Sequence, residues 1–385
     1  MKFMHLGDLH IGKTVNDFSM IEDQNYILDQ LLSILDEQKV DGVLIAGDVY
    51  DKAVPSEEAV GVLDHFLCQL ADRQVKTFII SGNHDSDARL NFGSSLFESN
   101  GIYIASKYDG VLYRQTMQDE HGSVNVYLLP FVKASQVRHF FPEAVIDSYD
   151  QAVRVVLEQA GIEKKERNIL VAHQFVTGRG EEPRLGGSEN AAVQAVGTIE
   201  KIGADCFDAF DYTALGHIHS PQRVGRDGIR YAGSPLKYSL SEVNNAKSVP
   251  IITLGKKGEV AVECIPLTPL RDMRHIKGRL EQLLDPKHIQ SPEDYIYVTL
   301  TDEEPVSDAM AVIRQYYPNT MKLDYENSHT RAIGQVDLSR VAREKSFSEL
   351  ISDFYHLMYG CDISDAEMKI MRKAAEEAGV VDEAG

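Results

Sequence analysis

Gly42-Val43-Leu44-Ile45-Ala46-Gly47-Asp48 is an apolar run that ends in a glycine and a carboxylate. Its continuous apolar stretch after Gly42 reads as a strand buried on both faces. The pattern recurs along the chain. Lys2 to Leu6 runs into Gly7-Asp8-Leu9-His10, and Lys76 to Ser81 into Gly82-Asn83-His84-Asp85. Ile169 to Ala172 ends at His173, and Tyr212 to Leu215 ends at Gly216-His217-Ile218-His219. A strand holds its backbone rigid, and the loop that follows aims a side chain into the crevice beyond the sheet's carboxyl edge. Asp, Asn and His are the hard and borderline ligands that hold two divalent cations about 3.5–4 Å apart, and such pairs hydrolyse phosphate esters. Asp8 and His10 are two positions apart, as are His217 and His219. On an extended backbone each pair would face one way.

Amphipathic helices alternate with the early strands. Ser56 caps one, with Glu57 and Glu58 in its first turn and Val60, Leu63, Leu67 and Leu70 as its stripe. Val62 and Phe66 widen that stripe beyond what a singly packed surface helix needs. Arg89 to Ser99 reads as a further short helix. The order implies an α/β fold of stacked sheets flanked by helices. Later sequence is rich in strands, including Val124 to Leu129 and the pair Gln222–Val224 and Ile229–Ala232, joined by a turn at Arg226-Asp227-Gly228. Val249 to Leu254 and Val260 to Ile265 follow.

A boundary falls near Pro266 to Pro269, and beyond it the pattern restarts. Strands around Asp272 to Ile276, Tyr295 to Leu300 and Met321 to Tyr325 alternate with helices Gly278 to Leu284 and Val306 to Tyr316. Three segments are therefore expected: 1–267 with the strand-end ligands, 268–330 as a small α/β cap domain, and 331–385 as a linker with C-terminal helices. Ser346 and Ser364 are candidate N-caps for those helices. Phe347, Leu350, Ile351, Phe354, Leu357 and Met358 recur at helical spacing, and Ile363, Met368, Ile370, Met371 and Ala374 follow. Two short helices cannot bury both apolar faces on each other, so they fold back or dock on a partner.

The 385 residues exceed one ordinary domain, in line with that division. No run approaches about 18 apolar residues, so no membrane span is expected. Cys68, Cys206, Cys264 and Cys361 lie far apart and fit reduced thiols in a cytoplasmic protein without a secretory signal. A net charge of −20 is unusual for a protein that handles nucleic acid, and such a role needs local basic patches or a basic partner. Arg223, Arg226 and Arg230 form one candidate patch. Arg271, Arg274, Lys277 and Arg279 form another.

Taken together, Asp8-x-His10, Gly47-Asp48, Gly82-Asn83-His84-Asp85, His173 and Gly216-His217-x-His219 resemble the calcineurin-like metallophosphoesterases. Ile45 to Pro55, Ile80 to Ser86, Asp211 to Gln222 and Tyr231 to Ser239 narrow the likeness to the SbcD-type DNA nucleases. The resemblance implies a metallophosphoesterase β-sandwich holding two divalent ions, usually Mn²⁺. It implies one ion on Asp8, His10 and His219, a second on Asn83, His173 and His217, and Asp48 between them. His84 is then the catalytic histidine, and Asp85 either orients it or stabilises the turn. The implied activity is end-directed exonuclease and single-strand or hairpin endonuclease cleavage in DNA repair, replication and recombination. The implied partners are DNA, a second copy, and an SbcC-type coiled-coil ATPase in a heterotetramer. The alternative is a phosphoesterase for a small nucleotide or cyclic phosphodiester. Only the chain after Leu267, with its Arg271 cluster, separates the two readings. Asp51 stands where many relatives have His, and Ala172 stands where many have Gly.

Overall fold

The computed structural model describes residues 1–178, 182–185, 201–328, 347–359 and 362–377. The chain divides into two compact units, Met1–Met273 and Arg274–Gly385.

The first unit is built on two six-stranded mixed sheets. In the first sheet, β1 (Lys2–Leu6), β2 (Gly42–Ala46), β3 (Lys76–Ile80) and β4 (Ile102–Ala105) run parallel in that order. Helices α1 (Ile21–Gln38) and α2 (Glu57–Asp72) supply the first two crossovers. The second sheet begins with β5 (Tyr113–Asp119) antiparallel to β6 (Gly122–Leu129). It continues in parallel through β7 (Arg167–His173), β8 (Tyr212–Gly216) and β10 (Arg226–Tyr231), and β9 (Gln222–Val224) closes the edge. Then β11 (Ser248–Leu254) returns to pair antiparallel with β1, and β12 (Val260–Pro266) completes the first sheet.

The sheets face each other across one apolar layer. Phe3, Leu44, Phe78 and Ile80 from the first sheet meet Val126, Leu128, Ile169, Val171 and Ala214 from the second. Inside this layer the Tyr212 hydroxyl and His5 Nδ1 lie 2.9 Å apart, which satisfies a polar pair between the sheets. On the outer face of the second sheet, α3 (Ala134–Phe140) and α4 (Tyr149–Gln159) cover Leu129, Leu170 and Ala172. Both sheets are thus covered on both faces, which is why their central strands read as continuous apolar runs.

Several local expectations change. Val62 and Phe66 are buried within their own chain, so packing against α1 and the sheet explains the wide stripe of α2. Val60 is 46% exposed instead. The helix expected over Arg89 to Ser99 breaks into Asp87–Leu90 and Ser94–Glu98, because Gly93 between them takes φ +76°. The hairpin turn lies at Gly225, φ +68°, and Arg226 to Gly228 already belong to β10.

The second unit carries a three-stranded sheet in chain order: β13 (Met273–Gly278), which opens at the last residue of the first unit, β14 (Tyr295–Leu300) and β15 (Thr320–Tyr325). Helix α5 (Ala309–Arg314) packs on it through Ala309 and Ile313. Further on, α6 (Phe347–Tyr359) and α7 (Asp365–Glu377) touch each other, and the Tyr355 hydroxyl donates to Glu367 at 2.6 Å. Ser364 does cap α7, its Oγ accepting from the Glu367 N–H. Phe354 and Ile370 stay 50% and 68% exposed, so this pair leaves apolar surface open. The cap expected at Ser346 and the linker over 331–346 lie outside the described residues, as do Cys361 and the side chains of Phe347, Leu357 and Met358. No helix among the described residues is long and apolar enough to cross a membrane.

Candidate metal centre

All five strand-end segments converge at one edge of the sandwich. β1, β2 and β3 are neighbours in the first sheet and β7 and β8 in the second, so their carboxyl ends meet across the layer between the sheets. Two glycines let the loops come this close. A Cβ on Gly216 would sit 1.9 Å from the Ala46 carbonyl oxygen, and one on Gly82 would sit 2.1 Å from Asp48 Oδ1.

Asp8, His10 and His219 bring one ligand atom each within 4.8 Å of one another, and Asp8, Asp48 and His173 do the same. His10 Nε2 and His219 Nε2 face each other at 3.1 Å. On the other side, Asn83 Oδ1 lies 3.1 Å from both His173 Nε2 and His217 Nδ1. Asp48 stands between the two groups. Its Oδ2 is 3.6 Å from His10 Nε2 and 3.3 Å from His173 Nε2.

The donor set fits two divalent ions. Asp8 Oδ1 accepts the His217 N–H at 2.8 Å, whereas its buried Oδ2 has no hydrogen-bond partner. An orphaned buried carboxylate oxygen beside converging imidazole nitrogens suits a cation. His173 donates Nδ1–H to the Ala46 carbonyl at 2.8 Å, which leaves Nε2 as the ligating nitrogen. Asp8, His10 and His219 could hold one ion, and Asn83, His173 and His217 the other, with Asp48 Oδ2 reaching both. Seven oxygen and imidazole donors without sulfur make a dinuclear site for hard or borderline metals.

Burial and neighbouring charge together set the protonation of these groups. Burial lowers His10 to about 4, and together with the charge on His173 it lowers His217 to about 3, so both rings are neutral and ready to ligate. Burial also raises Asp8 to about 6. Burial opposes charge on His173 as well, yet the Asp48 carboxylate, its hydrogen bond and Asp8 raise that ring to about 9. Burial works against charge on Asp48, but His173 and His10 hold it well below the usual range.

The approach to the cluster is strained. Asp8, His10, Asp48 and His217 all take positive φ, at 53°, 43°, 48° and 99°. The alternation expected of an extended chain is therefore not what points Asp8 and His10 together. β1 ends at Leu6, and left-handed turns aim both side chains.

His84 stands exposed at the mouth, its ring 4.9 Å from that of His10. Its Nδ1–H donates to the Asp51 carbonyl at 3.1 Å. Asp85 does not orient it. That carboxylate accepts the N–H groups of Val49, Tyr50 and Gly82 at 3.1, 2.9 and 2.9 Å, and so ties the two ligand loops together. Orientation of His84 falls to Asp51. The Asp51 side chain also stands 3.6 Å from His10 Nδ1 and accepts from Lys13 Nζ at 2.6 Å. Burial would raise its pKa, but these two partners lower it.

One supporting group was not singled out in the sequence. Glu242, fully buried, places Oε1 3.3 Å from His219 Nδ1 and accepts from Lys247 Nζ at 2.6 Å. Lys247 also donates to the His219 carbonyl at 3.0 Å and to Ser234 Oγ at 2.8 Å. A carboxylate behind a ligand histidine fixes its tautomer and strengthens it as a donor. The only signal was position: Glu242 follows closely on the Gly233-Ser234-Pro235 stretch, with no ligand-like spacing.

Of the four basic residues Arg271, Arg274, Lys277 and Arg279, the first three are engaged in ion pairs. Arg271 pairs with Asp23 at 3.0 Å and with Glu22, Arg274 with Asp294 at 2.6 Å, and Lys277 with Glu326 at 2.5 Å. Arg279 is exposed ahead of a short helix. In the earlier group, Arg226 donates to the carbonyls of Phe207, Phe210 and Asp211 and so serves the fold, while Arg223 pairs with Asp227 at 3.0 Å.

Two family models match the chain. The family model described as calcineurin-like phosphoesterase matches residues 1–221, more than half of the chain. A second model, SbcD_C, described as the type 5 capsule protein repressor C-terminal domain, matches residues 269–359. Among solved structures, a dimetal phosphatase from Danio rerio is similar at 12% identity and TM-score 0.40, over 70% of this chain and 98% of that one. A protein of Thermus thermophilus is similar at 9% identity and TM-score 0.38, over 68% of this chain and 98% of that one.

Proposed function

The chain belongs to the calcineurin-like phosphoesterase family, and from that premise we propose that it is a Mn²⁺-dependent DNA nuclease, cutting duplex ends and single strands. The observation that carries the phosphodiesterase chemistry is Asp48 Oδ2 between two ligand groups. The match of residues 269–359 to the SbcD_C model supports DNA over a small nucleotide as substrate.

Two bound ions would supply an activated water and positive charge for the phosphoryl oxygens. The chain's own part is positioning and proton transfer. Asp48 and Asp8 provide the negative charge that holds cations in a buried pocket. Glu242 and Asp51 steady His219 and His10 from behind. His84, tied through Nδ1 to the Asp51 carbonyl, keeps Nε2 for the substrate, where it can stabilise the pentacovalent phosphorus or protonate the departing sugar oxygen.

Incubating the full chain with Mn²⁺ and single-stranded or linear duplex DNA, beside bis-p-nitrophenyl phosphate, tests the substrate. DNA cleavage is expected, with the strand cut endonucleolytically. Turnover of the chromogenic diester without any DNA cleavage, even with an ATPase partner present, would assign the protein to small substrates instead.

The proposal extends to assembly. Val54, Val60, Phe92 and Leu96 are 66%, 46%, 83% and 75% exposed. Val60 and Phe92 border an apolar groove of about 680 Å³ between α2 and the 87–98 segment. A second copy is the occupant proposed for it, and the open apolar faces of α6 and α7 are assigned to a coiled-coil ATPase of the SbcC type. The ATPase would add basic surface to a chain whose net charge is −20. Light scattering should give a dimer at micromolar concentration, and truncation at residue 335 should abolish co-purification with the ATPase. A monomer in the first experiment, or retained co-purification in the second, would remove the corresponding partner.

A further inference from the structure

Beside the metal centre lies a second concavity, with a volume of about 240 Å³. It opens between the turn at Lys107 and Tyr108, the segment after β6, and α3. Phe131 links it to the centre. The Phe131 N–H donates to the Ser81 carbonyl at 3.0 Å, and its ring lies 6.3 Å from the ring of His173. Asp87, which also lines it, is three residues beyond His84.

The lining suits a flat aromatic ligand. Tyr108 and Phe140 hold an edge-to-face contact at 5.5 Å, and the Tyr108 hydroxyl is already committed to the Gly110 carbonyl at 3.0 Å. What these two residues and half-buried Phe131 offer is therefore ring surface. The polar residues of the lining are Asp87, Lys107, Gln136 and His139. Gln136 Oε1 accepts the Lys133 N–H at 2.8 Å, which directs its amide N–H₂ outward as a donor, and Lys107 and His139 are exposed alongside. Apolar walls with a few donors at the edge are what a heteroaromatic ring with acceptor atoms on its rim requires. Size agrees. A cavity of about 150 Å³ takes one benzene ring, so this one admits a single nucleobase and excludes a base pair.

We infer that this aromatic cavity beside His173 receives one nucleobase of a nucleotide whose phosphate lies at the metal centre. The inference deepens the nuclease reading and rests on it for the claim that the nucleotide belongs to a DNA strand. A duplex end must fray, or a strand be single, before a base can enter. The cavity would therefore favour unpaired nucleotides at the site of cleavage.

Binding of mononucleotides separates this claim from the activity. The full chain in Mn²⁺ is titrated calorimetrically with deoxyadenosine 5′-monophosphate and with deoxyribose 5-phosphate, which lacks the base. The wild type should bind the nucleotide about tenfold more tightly, the contribution of one stacked base. Phe131→Ala should bring the two ligands to within about twofold of each other. Phe131→Leu, which keeps an apolar side chain beside the Tyr149 ring that Phe131 faces at 6.3 Å but removes the π face, should do the same. Equal affinities in the wild type, or an undiminished difference in the Phe131→Leu protein, would overturn the inference. DNA cleavage without base-dependent binding overturns the cavity alone. Base-dependent binding without DNA cleavage upholds the cavity and overturns the nuclease reading.

Discussion

Asp48→Asn should leave the protein without a functional metal pair and lower phosphodiester turnover by at least about a thousandfold, a loss of roughly 4 kcal/mol or more of transition-state stabilisation. The residue is central in two ways. Oδ2 faces His10 and His173 at once, so it is placed to join the two ligand groups. Oδ1 accepts the His84 N–H at 2.9 Å, so the same carboxylate also fixes the loop that carries His84. An amide keeps the shape but loses the charge, and its N–H₂ would point at a cation or an imidazole. Metal analysis after dialysis should find fewer than two ions per chain. A variant that keeps both ions and near-normal turnover would show that Asp48 is not the shared ligand.

His84→Gln should behave differently. Turnover should fall about 100- to 10,000-fold, the range for removal of a positioned acid–base group, while both ions stay bound. No other candidate ligand leans on the His84 ring for its hydrogen bonds. Its Nδ1 goes to the Asp51 carbonyl, and the ring is exposed. Because His84 is proposed to act on the reacting phosphate, its loss should appear in kcat. Substrates with a better leaving group should suffer less if His84 protonates the departing oxygen. Loss of metal from the variant would make His84 a ligand and refute its role as the catalytic histidine.

The convergence of the candidate ligands was legible because each one follows an apolar strand, and a strand end is a fixed point. Apolar runs imply parallel buried strands, parallel strands align their carboxyl ends, and Asp, Asn and His at those ends then meet. How each side chain is aimed was not legible. The sequence alternation at Asp8 and His10 suggests an extended chain, but the loop uses left-handed turns that sequence spacing does not encode. Asp85 looked like a partner for its neighbour His84, yet its three donors include Val49 and Tyr50 from another loop. Glu242 and Lys247 escaped notice for the same reason: only the fold carries them behind His219.

Charge was the hardest feature to read. Arg271, Arg274 and Lys277 cluster in sequence, but their carboxylates at Asp23, Asp294 and Glu326 are distant in sequence. Exposed pairs such as Lys277 with Glu326 are weak. Arg271 is different, because it binds the fully buried side chain of Asp23 and so anchors the segment entering the second unit to α1. The wide apolar stripe of α2 was similarly ambiguous until Val62 and Phe66 were found within the chain's own core.

The central claim is that one chain holds two divalent ions on these seven residues and uses them to cut DNA. Titration of the metal-free protein with Mn²⁺, with single-strand cleavage read at each addition, tests it most directly. Saturation at two ions per chain is expected, with cleavage appearing only as the second ion binds. Full cleavage at one ion per chain, or saturation at two ions with no cleavage of any DNA, would contradict it.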